Sequence, residues 1–206
     1  MTTHGNELDP DRVRRLRELA RVGAERAAGA FGVLVGRSFR SGVPLVRLLP
    51  AERAAEPFVA GASAEERRDM SGVFFEIDGG PGGVMALFFT PESAASLLSQ
   101  LTGRPAKELE PETVASALRE VGNILSSHVV SALAEQMLTV VLPSVPMLAA
   151  MDAPSAFASL VAPRAAERPA LRIEIEISDE LCELRSLLVF VPDRLGPSIA
   201  PSPQLG

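Results

Sequence analysis

The sequence predicts an α/β protein. Two pseudo-symmetric helix-plus-strands halves share one mostly antiparallel sheet, with two long motif helices on one face. Three observations predict it. Residues 13–46 can be laid on residues 115–148 at an offset of 102, so that Leu16-Arg17-Glu18 falls on Leu118-Arg119-Glu120 and Pro44 on Pro146. Both stretches carry helical periodicity: Val114, Leu118, Val121, Leu125, Val129 and Ala132 recur at the spacing of one apolar face. After each stretch come two strand-like runs, GVFFEIDGGPGGVMALFFTPES at 72–93 and RIEIEISDELCELRSLLVFVPDR at 172–194.

The elements follow in order. Residues 1–9 read as a loose tail, then each half gives a long helix, a strand ending near a proline, a loop or short strand, and a hairpin. DGGPGG joins the first hairpin with the permissive backbone a reversal needs. Thr90 caps a following helix with Pro91 at its first position, which ends near Gly103 and links the halves. In RIEIEIS the period of two sets Ile173, Ile175 and Ile177 on one face. Stretches 51–70 and 152–169 read as loops with a short strand each, and 197–206 as a second tail. The domain spans 10–196, with pseudo-repeats at about 10–103 and 109–195.

Composition removes several classes of function. With 47% hydrophobic residues in 206, the chain can bury a sizeable core, filled mainly by Leu, Val, Ala, Met and Phe because Trp and Tyr are absent. That absence also removes the aromatic platforms on which bases stack. Cys182 is the one cysteine, which excludes an internal disulfide and a cysteine zinc cluster; a buried thiol in a reducing cytoplasm is expected. The apolar runs fall short of the roughly 20 residues that cross a bilayer. The net charge of −6 is unevenly spread: residues 11–50 hold nine Arg against three acids. Those arginines are scattered around the helix without a DNA-binding pattern, so no nucleic-acid partner is expected.

The second helix carries one unusual stripe. At about 100° per residue, Ser116, Glu120 and Asn123 fall within roughly 60° of one another, opposite the apolar face. The spacing is S-x3-E-x2-N-x22-P ending at Pro146, and it contains the run EVGNI at 120–124. On these residues the sequence resembles the CheC/CheX/FliY family of chemotaxis phosphatases, and CheC most. The resemblance covers about residues 10–195.

It implies hydrolysis of the aspartyl phosphate on a CheY-like response regulator. The protein would hold no cofactor of its own, since Mg²⁺ would sit on the partner. Glu120 and Asn123 would be catalytic, with Ser116 and Ser127 extending the partner contact. The chemistry suits these residue types: an acyl phosphate is already reactive, and a carboxamide can accept a hydrogen bond from water while donating to a phosphoryl oxygen. A carboxylate one turn earlier can pair with a partner lysine.

The equivalent first-half positions are Arg14, Glu18 and Arg21. A guanidinium only donates and stays charged, and at three residues' spacing Arg21 is placed to pair with Glu18, so this centre reads as degenerate. A binding or scaffold role in the chemotaxis or flagellar switch apparatus is the alternative, and the resemblance also allows a complex with a CheD-like deamidase.

Other features read as structural. His128 lies about 140° around the helix from Asn123 and is expected to be partly buried, and His4 sits in the tail. Pro146 ends a strand or shapes a loop. DGGPGG lacks the Lys-Ser/Thr ending of a phosphate cradle, and no Ser-His-Asp arrangement is visible.

Overall fold

The computed structural model describes residues 10–50, 53, 63–165, 169–181 and 184–193. Both expected tails, His4, Cys182 and most of the stretch 51–62 lie outside the described residues.

In chain order the elements are α1 (Pro10–Val35), β1 (Phe39–Ser41), β2 (Leu45–Leu49), α2 (Ala64–Arg68), β3 (Ser71–Gly79), β4 (Gly83–Phe89), α3 (Pro91–Thr102), α4 (Pro111–Met137), β5 (Val141–Pro143), β6 (Met147–Ala149), α5 (Ala153–Ala165), β7 (Ala170–Asp179) and β8 (Arg185–Val191). The strands form a single sheet in the order β1-β7-β8-β4-β3-β5, with β2 also on β7 and β6 also on β3. Every ladder among the described residues is antiparallel.

The halves exchange their edges. First-half strands β1 and β2 pair with second-half β7, and second-half β5 and β6 pair with first-half β3. The registers correspond: Leu45 faces Glu174 as Met147 faces Phe74. Even the break between the short strands repeats, since Gly42 N–H donates to Glu176 O at 2.7 Å and Ser144 N–H donates to Glu76 O at 2.8 Å.

One face of the sheet carries α1, α3 and α4 over a core that includes Phe31, Leu97, Leu125, Val73, Leu87, Ile173 and Leu188. The two long helices lie side by side, joined by Arg26 Nη2 and Glu135 Oε2 at 2.6 Å. The first hairpin turns through glycines at positive φ, and Gly83 (φ 124) is obligatory because a Cβ there would stand 2.3 Å from Val191 O. Thr90 and Gly103 cap α3 as its sequence predicts, Gly103 in the left-handed region.

The stretches expected to be loops contain helices. Ser63 and Glu66 form a reciprocal capping box that starts α2. The stretch 152–169 folds mainly as α5, which covers the other face of the sheet. Ala153, Phe157 and Val161, at helical spacing, pack on Phe74, Phe88 and Val189, and the three phenylalanines meet at centroid distances of 5.5–6.1 Å. Burying both faces of the sheet explains why Phe74 and Phe88 alternate with equally apolar neighbours.

Candidate functional site

Helix α4 is positioned by its buried face. Leu118, Val121, Leu125, Val129, Ala132 and Leu133 are all buried, while Val114 at the first turns is partly covered. Between them Gly122 brings the helix onto the sheet: a Cβ there would stand 2.6 Å from Val73 Cγ1. A residue with a side chain would lift the helix or displace Val73. Gly122 thereby fixes the height and rotation of its neighbours on the outer face.

That outer face is the stripe. Ser116, Glu120, Asn123 and Ser127 are all exposed. Glu120 and Asn123 are separated by about 4.5 Å along the axis. Among the described residues, neither the Glu120 carboxylate nor the Asn123 amide has a hydrogen-bond or ion-pair partner. Both are free to meet an incoming surface. The hydroxyl of Ser127 instead donates to Asn123 O at 2.7 Å, and that of Ser126 to the same carbonyl at 3.0 Å. Ser127 can therefore offer a partner only its acceptor lone pairs.

His128 is exposed rather than partly buried, because it lies beyond the edge of the apolar face. Pro146 lies in the break between β5 and β6, partly buried, with Val145 beside it 82% exposed. Ser144 ties that break down by accepting from Glu76 N–H at 3.0 Å. Among the described residues, no three His, Cys, Asp or Glu side chains are grouped to hold a metal ion.

The first half has the same helix and a different surface. Arg21 donates to both oxygens of Glu18, through Nη2 at 2.6 Å and Nε at 3.0 Å, and through Nη1 to Glu25 at 2.5 Å. The hydrogen bond from Arg21 holds the Glu18 carboxyl below the usual glutamate range. Arg14 pairs with Asp11 at 2.8 Å, both well exposed. The acid that is free in the second half is neutralised in the first.

A model of the CheC-like family matches residues 114–148, which run from the head of α4 through β6. CheY-P phosphatase CheC of Bacillus subtilis (strain 168) is 28% identical over 145 residues, covering 68% of this chain and 67% of that protein. The chain is thus similar to CheC-like proteins, with the family match confined to that segment. Its fold agrees with solved structures across most of their length. FliY of Thermotoga maritima aligns over 90% of this chain and 92% of its own with a TM-score of 0.64 at 19% identity. The CheX-CheY-BeF3-Mg+2 complex from Borrelia burgdorferi aligns over 82% and 95% with a TM-score of 0.52 at 12% identity. The CheC-like match falls on the second-half helix and not on α1, the same division that the free and paired glutamates make.

Among the described residues, no helix is long and apolar enough to cross a membrane.

Proposed function

We propose that this CheC-like chain is a cytoplasmic protein aspartyl-phosphate phosphatase for a CheY-like response regulator in chemotaxis signalling, with one working centre at Glu120 and Asn123. One observation carries the reading: inside the segment matching the CheC-like family, an exposed side-chain amide stands one turn from an exposed carboxylate, and neither has a partner among the described residues. The named activity of the Bacillus subtilis relative and the CheX–CheY complex support the choice of partner.

The chemistry follows from the groups. Asn123 Oδ1 accepts a hydrogen bond from a water molecule, and Nδ2 donates to a phosphoryl oxygen, holding the water in line with phosphorus. As the water oxygen bonds to phosphorus, the acyl P–O bond breaks and its electron pair leaves with the regulator's aspartate carboxylate. The water proton passes to solvent or to the released phosphate. Charge on the transferring group is met by Mg²⁺ that belongs to the regulator, so this chain supplies no metal and no general base. Glu120 pairs with a partner lysine and sets the depth to which Asn123 enters. Ser116 donates at the end of the stripe, and Ser127 accepts.

Phosphate release from a phosphorylated regulator, measured with and without the protein, tests this. The protein speeds release, and Asn123→Ala returns it to the regulator's own rate; equal rates with the two proteins would remove the assignment. The paired, charged first centre favours a second reading, in which the chain is a docking part of the chemotaxis or flagellar switch apparatus or a CheD-binding regulator. Such a protein binds its partner without changing phosphate release.

A further inference from the structure

A groove of about 700 Å³ runs along the start of α1, lined by Arg14, Arg15, Arg17, Arg21, Val43 and Pro44, with Glu18 as its acidic lining residue. It occupies, in the first half, the position that the Ser116–Asn123 stripe occupies in the second. Its charge is inverted. In the second half the Glu120 carboxylate has no partner among the described residues; here Glu18 is held by Arg21, which also donates to Glu25. Both charges are already engaged, so each is a weaker anchor for a partner than an unpaired arginine. Arg15 and Arg17, by contrast, are exposed and have no ion-pair partner among the described residues, and Arg14 makes one solvent-exposed contact with Asp11.

The walls decide which anion fits. Val43 is 82% exposed and the adjacent Pro44 is buried, and both line the groove, which therefore has an apolar shoulder beside its cations. Among the described residues no aromatic side chain lines it, which leaves nucleic-acid bases without a stacking surface. The chain as a whole carries −6, so a long polyanion is repelled elsewhere while a short acidic segment meets only the local cations. Aliphatic stems between carboxylates would rest on Val43.

We propose that the first-half groove docks a carboxylate-rich segment of a partner protein through Arg15 and Arg17, with Arg14 at its rim. The two pseudo-equivalent faces then recognise partners of opposite charge. This does not depend on the catalytic reading, because no phosphorylated regulator enters its test.

The test is fluorescence anisotropy of a labelled, short Glu/Asp-rich peptide added to the full chain, beside a Gln/Asn peptide of equal length. The acidic peptide binds, more weakly as salt rises, and Arg15→Glu/Arg17→Glu weakens it by about tenfold or more. Arg15→Gln/Arg17→Gln gives an intermediate loss, with far-UV circular dichroism confirming that both variants fold. Absence of binding, equal binding of the neutral peptide, or unchanged binding by the folded variants would overturn the proposal. Preference for a single-stranded oligonucleotide would overturn it too. So would a dimer, seen in sedimentation, that the Glu substitutions dissolve while the peptide fails to bind.

Discussion

At the scale of single residues, the site depends on which groups are left unpaired. Asn123 and Glu120 project from α4 with no internal partner among the described residues, so substituting them leaves the core intact and changes only what the surface can do. Asn123→Ala is expected to lower the turnover of phosphorylated regulator by about 100-fold, as loss of one preorganised donor does, with the melting temperature unchanged. Glu120→Gln should act mainly through KM, raising it about fivefold, because an exposed ion pair contributes at most about 1 kcal/mol. Gly122 is the opposite kind of residue: Gly122→Ala puts a methyl 2.6 Å from Val73 Cγ1. Better helix propensity returns about 1 kcal/mol, yet overpacking costs about 1–3 kcal/mol, so urea unfolding should show a net loss together with reduced activity.

Exposed pairs on these helices also set a pH dependence. The side-chain hydrogen bond from Arg26 lowers the Glu135 carboxyl below its ordinary value of 4.5. A lowered folded-state value contributes stability that is present above the unfolded value and fades as pH falls through the folded one. The α1–α4 tether should therefore loosen only below about pH 4.5. In carbon NMR, Arg26→Gln should move the Glu135 titration back up toward 4.5; an unmoved titration would show that the pair does not persist in solution.

At the scale of elements, the legible parts of the sequence were those whose period survived. The apolar face of α4, the alternating Ile173, Ile175 and Ile177, and the capped ends of α3 were readable because each residue's spacing reports its environment directly. The stripe was readable for the same reason; that its amide has no partner among the described residues was not, because Arg119, Glu120, Ser126 and Ser127 all lie within one turn of it. Helix α5 was not. APSAFASLVAPRA is rich in alanine and contains Pro154 and Pro163, so its apolar contrast is weak, and only Ala153, Phe157 and Val161 mark its buried line. Asp152, which accepts from the Ser155 hydroxyl at 2.8 Å, was the available start signal. The exposure of His128 was not legible, because spacing does not fix the exposure of a position at the boundary of an apolar arc. Removing the anchor of α5 with Phe157→Ala should cost about 3–5 kcal/mol in chemical denaturation, since Phe157 is wholly buried against two other rings.

At the scale of the whole molecule, the exchanged edges make the two repeats one cooperative body. Strands β5 and β6 have their partner in β3, and β1 and β2 have theirs in β7. A fragment of residues 109–193 should therefore show no cooperative melting by circular dichroism, although it contains the whole candidate site; a sharp transition would mean that the repeat folds alone. The internal repeat in the sequence disclosed that two halves exist. It could not disclose the swap, because the pairing of one half's edges with the other half's hairpin leaves no mark in a linear offset.

That cross-bracing separates two kinds of inheritance. Backbone geometry is held in common, so an insertion or slip in one half's short strands disturbs the register of the other half's hairpin. The side chains facing outward on each long helix answer to no such mutual veto. A molecule built this way can carry different charges on the outer faces of its two long helices without disturbing the shared sheet, as Arg21 and Asn123 at equivalent positions illustrate.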